Sequence, residues 1–319
     1  MATISVVICT RDRADFLRET LASIAEVKVP EAEVAELVIV DNGSTDHTQD
    51  VVERCALGPF ESIRCIEEKR PGLSHARNTA VAATEGEIVL FTDDDVRVPT
   101  NWISGMIEPI RAGRADAVAG GVELAPHLRR PWQEEHPALI SPLACTRDIS
   151  SRNPDRMVGA NMAIAKHLFK TLPPFDPNLD AGSPLGLGGE TLFSHQLKAE
   201  GFRLRSAFDV VVEHHCDAGR LSRTSYLKYA EKVGRSEAYI DYHWHGTTNS
   251  PIRLWAGLVR RYTRLLVMRL VRYQDLQDEE RIPEWEFRLL LWINYRRQML
   301  MEQSRARKYK DVNSGTEHV

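Results

Sequence analysis

Long hydrophobic runs, paired cysteines and a surplus of positive charge are all missing from this sequence. No stretch reaches the roughly 18 consecutive apolar residues of a membrane-spanning helix, so no such helix is expected. The five cysteines, Cys9, Cys55, Cys65, Cys145 and Cys216, are scattered and odd in number. None forms a C-x-x-C pair, which excludes a disulfide framework and a zinc ribbon and makes a reducing cytoplasm the expected compartment. The N-terminus carries no charged lead, apolar core and cleavage site, so no signal peptide is expected. A net charge of −4 argues against general nucleic-acid binding. No internal repeat is visible. No G-x-G-x-x-G follows the first apolar run, and no G-x-x-x-x-G-K-[ST] occurs, so neither a dinucleotide fingerprint nor a P-loop is present. What remains is an ordinary globular composition, 43% hydrophobic and 27% charged over 319 residues. That length suits one large domain, or one domain with a helical extension.

The first hundred residues alternate strand and helix. Ile4 to Cys9, Leu37 to Val40, the weaker Ile63 to Ile66, and Ile88 to Phe91 are short β-branched or apolar runs. Between them Leu17, Leu21 and Ile24 recur at helical spacing, a second helix starts near Thr48, and the Ala-rich His75 to Ala83 is helical. Alternating β and α predicts a parallel sheet covered on both faces. Three polar loops, 10–13, 41–46 and 93–95, then leave the same strand edge, where open α/β sheets bind ligands. The last carries Asp93, Asp94 and Asp95 in succession. Like charges at one strand end repel, and a hard divalent cation such as Mn2+ or Mg2+ offsets them through oxygen ligands. A solvated acidic turn is the alternative reading.

The order CTRDR, VIVDNGSTD, RPGLSHARNTA and FTDDD resembles glycosyltransferase family 2, enzymes of GT-A fold that use nucleotide-sugar donors. The resemblance covers about residues 3–240. It implies a Rossmann-like, mostly parallel sheet flanked by helices, with a nucleotide-binding half at 1–98 and an acceptor half at 99–220. Nucleotide and donor contacts would fall to Thr10, Arg11, Asp12, Asp41, Asn42, Gly72, Arg77, Asn78, Asp93 and Asp94. A surface helix charge is the plain alternative for Arg77. Asp95 would ligate the metal. Gly159 and Asn161, in a strand resembling the family's G-x-N segment, would line the donor sugar. The Pro-, Arg- and His-rich 126–157 would border the acceptor.

The family writes Glu-Asp before its Thr-x-x helix, the Asp being the base. Here Gly189-Glu190 stands in that place, so Glu190 is the expected catalytic base. Family members place a His after the strand that here reads Val210 to Glu213. His214 and His215 are both candidate metal neighbours, the spacing to Arg220 favours His214, and strand alternation lets at most one enter the site. Cys216 and Asp217 lie beside them, but no second ligand pair follows at zinc spacing.

Residues 221–303 form a helical extension, and 304–319 read as a disordered tail. Within the extension Ile252, Trp255, Val259, Tyr262, Leu266, Leu270 and Tyr273 step by three or four, beside six arginines and no acid. That is either a basic helix lying in a membrane interface or a helix packed on the catalytic domain with its Arg stems covering the edges. The expected activity is an inverting, metal-dependent sugar transfer from a nucleotide-diphosphate sugar, uridine-based by family frequency, to a hydroxyl of a glycan or lipid-linked acceptor. Cell-surface polysaccharide or glycan synthesis is the expected setting. The expected location is the cytoplasm or its membrane face, with peripheral contact through 252–273 and homo-oligomerisation left open. A sugar nucleotidyltransferase would need a Gly-rich first loop, which CTRDR is not. A non-catalytic protein of the same fold is the other alternative, suggested by the missing Glu-Asp pair.

Overall fold

The computed structural model describes residues 1–309 apart from 57, 131, 134–138, 140–142, 144, 148, 153 and 278–281. The chain divides into two units, residues 1–184 with 189–216, and residues 185–188 with 217–319.

The first unit is built on an eight-stranded mixed sheet of order β3-β2-β1-β4-β7-β6-β8-β5. Its strands are β1 (Ile4–Thr10), β2 (Ala35–Asp41), β3 (Ser62–Glu67), β4 (Ile88–Asp93), β5 (Val96–Arg97), β6 (Ala117–Leu124), β7 (Asn161–Ala165) and β8 (Leu204–His214). β1 to β4 pair in parallel, and β7 turns the sheet by pairing antiparallel with β4 and β6. Helices α1 (Ala14–Ala25), α2 (Thr48–Glu53), α3 (Leu73–Ala83), α4 (Trp102–Arg111), α5 (Leu168–Thr171) and α6 (Gly189–Ala199) accompany it.

Strand alternation sorts the apolar residues onto two faces. Ile4, Val6 and Ile8 pack with Leu17, Leu21, Ile24 and Trp102, while Val7, Val38 and Val40 pack with Ala76, Ala80 and Phe193. Burial on both faces explains why these strands read as unbroken apolar runs. Parallel register sets Thr10 opposite Asp41 and Cys9 opposite Asp93. The three polar loops therefore do leave one edge. Gly120 and Gly121 sit at a register shift between β6 and β8. A Cβ on Gly120 would lie 2.2 Å from the Asn161 amide, so glycine is required for the close approach. Of the long 126–157 segment expected at the acceptor side, 131, 134–138, 140–142, 144, 148 and 153 lie outside the described residues.

The second unit contains α7 (Arg223–His243), α8 (Pro251–Val271) and α9 (Glu284–Glu302). A Cβ on Gly234 would meet the Leu291 carbonyl at 2.1 Å, so α7 and α9 cross closely there. Buried Glu286 is held by Arg223 and Arg269 at 2.8 and 2.7 Å. On α8 it is Leu254, Leu258 and Leu265 that are buried. The stripe read from the sequence, Ile252 to Tyr273, faces outward. α8 is thus apolar on two sides, and the side buried within its own unit is not the stripe. Arg305 O accepts from Tyr242 Oη at 2.7 Å, and Arg307 donates to Gly246 O. Residues 310–319 of the expected tail lie outside the described residues. Among the described residues no helix is long and apolar enough to cross a membrane.

Candidate active site

The edge loops of β1 and β4 build a buried acidic cluster. Thr10 Oγ1 donates to Asp94 at 2.7 Å. Arg13, at the start of α1, reaches Asp94 at 3.2 Å and Asp95 at 2.6 Å. The antiparallel pair of β5 and β8 sets Val96 opposite His214, which brings His214 Nε2 to 3.2 Å from Asp95 Oδ1. On its other side His214 Nδ1 donates to the Leu143 carbonyl at 2.6 Å. A carbonyl can only accept, so Nδ1 carries a proton and Nε2 is the ring atom left facing Asp95. His215 turns away to Glu213 at 3.3 Å, its ring near that of His127. Of the two candidate histidines, only His214 turns its ring to the acidic cluster; His215 meets Asp95 through its backbone amide, which donates to the Asp95 carbonyl at 2.7 Å.

Burial first, and the neighbouring carboxylates after it, push Asp93 upward, and burial pushes Asp94 to about 7 against the pull of Arg13. The three carboxylates oppose one another's ionisation, and Arg13 on Asp94 and Asp95 and Arg77 near Asp93 offset this only in part. Among the described residues no three His, Cys, Asp or Glu side chains form a ready-made metal cluster. Asp95 and His214 fit a divalent cation as a pair, since Mg2+-type sites take one or two protein ligands and complete their shell with substrate phosphates and water.

A second cluster lies beyond Asp93. Arg77, on α3, is 2% exposed and is no surface charge. Its guanidinium meets Asp180 at 3.1 Å and Glu190 at 2.8 Å and covers the Phe175 ring at 5.6 Å. Asp180 is fixed further by Ser74 Oγ at 2.9 Å and the Gly189 amide at 2.7 Å. Burial and then the charge of Glu190 push Asp180 upward, while Glu190, against an opposing effect of burial, is held below its ordinary value by Arg77. Glu190, in the first turn of α6, is the partner with exposed surface, 21% against 3% for Arg77 and Asp180.

Several sequence candidates do other work. Asn161 is fully buried; it accepts from Trp102 Nε1 and donates to the carbonyls of Gly121 and Val210, all at 2.9 Å. Its amide is spent inside the sheet, so it does not line the donor. Asn78 spans the backbone of Phe175, donating at 2.9 and accepting at 3.0 Å. Asn42 clamps Glu68 O, Arg70 O and the Gly72 amide, so it shapes the Gly72 loop instead of offering its side chain to a ligand. Asp12 accepts from the Thr45 amide, joining the first two loops, while Asp41 accepts from the Ser44 amide within the second loop. Arg11 is exposed beside Asp12. Gly72, at φ 126°, starts α3.

Sequence reasoning assigned no role to Arg13 or Asp180. Arg13 lay inside the CTRDR motif. Asp180 gave only a turn signal in Asp180-Ala181-Gly182, and it adopts φ 72° there.

A family model described as glycosyl transferase family 2 matches residues 5–166. The chain belongs to that family. Glycosyltransferase AglE of Haloferax volcanii is 24% identical over 66% of this chain and 66% of its own length. Succinoglycan biosynthesis protein ExoM of Rhizobium meliloti is 32% identical over 37% of this chain and 38% of its own. The chain thus spans less than two thirds of these relatives. Among solved structures, mannosyltransferase PcManGT from Pyrobaculum calidifontis, in complex with GDP-Man and Mn2+, superposes over 95% of this chain and 73% of its own, with a TM-score of 0.56 and 18% identity. S. aureus TarS covers 76% of this chain and 44% of its own, with a TM-score of 0.50 and 17% identity. These likenesses establish the GT-A fold of the family 2 chain.

Proposed function

We propose that this family 2 chain is an inverting glycosyltransferase that moves a sugar from a nucleotide-diphosphate donor to an acceptor hydroxyl in glycan or polysaccharide synthesis. The reading rests on Glu190: a carboxylate with exposed surface, held at 2.8 Å by a buried arginine, whose charge acts on Asp93 of the acidic edge. Glu190 takes the proton of the acceptor hydroxyl. The acceptor oxygen bonds to the anomeric carbon as the bond from that carbon to the diphosphate breaks, and the electron pair leaves with the nucleoside diphosphate. Attack opposite the leaving group inverts the centre. Thr10, Arg11 and the edge at Asp41 and Asp93 offer the donor its polar contacts. Asp95 and His214 would hold a Mn2+ or Mg2+ ion, which when bound supplies Lewis-acid stabilisation of the departing charge. The solved relative that carries GDP-Man and Mn2+ supports both donor class and cation.

A non-catalytic role was suggested by the missing Glu of the family pair. Asp180 answers that loss: a Cβ on Gly189 would lie 2.1 Å from its carboxylate, so the glycine makes room for a second carboxylate from another segment. The test is Glu190→Gln, which keeps size but cannot accept the proton. Transfer should fall by about 10²–10⁴ while donor affinity holds. Transfer at the parental rate would overturn the assignment.

A further inference from the structure

α8 carries two apolar faces, and its own unit buries only one. Leu254, Leu258 and Leu265 pack inward, toward α9. Ile252, Trp255, Val259, Leu266 and Leu270 stand outward, between 61% and 80% exposed. Such residues scattered singly would be unremarked; in a continuous stripe they mark a binding face. The stripe runs into a groove of about 560 Å³ between α8 and α9, lined also by Tyr262, Leu300 and Arg297.

The edge of the stripe is cationic. Six arginines and no acid lie between 251 and 273. Arg269 and Arg272 pair with Glu286 and Asp275, but no carboxylate pairs with Arg253, Arg260 or Arg264 among the described residues. At about 100° per residue these three fall on one flank of the stripe. Burial, and then the charges of Arg296, Arg260 and Arg264, destabilise the protonated form of Arg261, as expected for a crowded cationic surface.

We propose that this face of α8 binds an anionic lipid bilayer, with the apolar stripe at the headgroup–acyl boundary and Arg253, Arg260 and Arg264 on lipid phosphates. Charge complementarity selects this occupant. A second copy docking by twofold symmetry would bring the same arginines onto one another, which like-charge repulsion opposes. The charged flank also means that the helix lies along the surface and does not span it.

The test uses the full chain with phosphatidylcholine vesicles, with and without phosphatidylglycerol. Sedimentation should require phosphatidylglycerol, weaken with salt, and shift tryptophan emission to the blue. Arg253, Arg260 and Arg264 changed together to Gln should weaken binding at least about tenfold. Trp255→Ser with Leu266→Ser should abolish it. All five positions are exposed, so thermal unfolding should be unchanged. The proposal is overturned by absent sedimentation at low salt, by equal binding to neutral vesicles, or by a dimer in light scattering that the Ser variant dissolves while vesicles bind nothing. None of these readouts depends on sugar transfer.

Discussion

Arg77 holds the two carboxylates of the candidate site in one place. A buried arginine without partners is costly, and so are two buried carboxylates without the arginine; together each offsets the other. The fit is tight. A Cβ on Gly159 would lie 2.0 Å from Arg77 Nη2 and 2.3 Å from Glu190 Oε1. Gly159→Ala must therefore push the pair apart. The expected cost is about 1–3 kcal/mol of stability, as for other overpacked sites. A fall in kcat without loss of donor affinity should accompany it, measured by urea unfolding, steady-state kinetics and calorimetry. Wild-type kcat in a folded variant would show that the pair has no part in the chemistry. Arg77 was legible through its motif, but its partner was not: Asp180 lies 103 positions away, and nothing local marks it as the counter-charge.

Between β3 and α3 the chain makes a short loop that presents Gly72. Glu68 organises it, accepting from the Arg70 amide at 2.8 Å, from the Arg70 guanidinium at 2.7 and 3.0 Å, and from Thr79. Arg70 first, then Thr79, hold Glu68 down at about 2 from its ordinary 4.5, against the opposing effect of burial. The unfolded chain protonates this group below about 4.5, while the native state resists to about 2. Its stabilisation is thus complete above the upper value and lost as pH falls through the lower one. Glu68→Gln should be less stable than the parent near neutral pH, with the difference shrinking under acid. Denaturation midpoints over an acid series check this; a constant difference would show that charge is not the cause. At this scale the strands and helices were readable from period and composition. The roles of Asn42, Asn78 and Asn161 were not, because an amide's partners are set by which backbone groups other elements leave unpaired.

For the molecule as a whole, the proposed nucleotide and cation sites both fall at the acidic edge of the sheet. Nucleoside diphosphate with Mn2+ should raise the unfolding temperature by mass action, by about 2.7 kcal/mol of stabilisation at a hundredfold excess over Kd. Asp95→Ala should fold, since it removes one of three crowded carboxylates, yet gain little from the same ligands. A thermal-shift series with and without Mn2+ decides it; an undiminished metal-dependent shift would remove Asp95 from the site.

The sequence by itself determined the alternation of strand and helix, the gathering of three polar loops on one edge, and the family, because period, turn chemistry and motif order are local properties. Only the tertiary structure decided that the ring of His214 and not that of His215 faces the Asp95 carboxylate, that Asp180 fills the space beside Gly189, that Asn161 closes the sheet, and that α8 turns the apolar stripe outward while burying Leu254, Leu258 and Leu265. Each depends on where a side chain points across elements far apart in the chain. Pairing register and packing set that direction, and one residue of register turns a side chain to the opposite face.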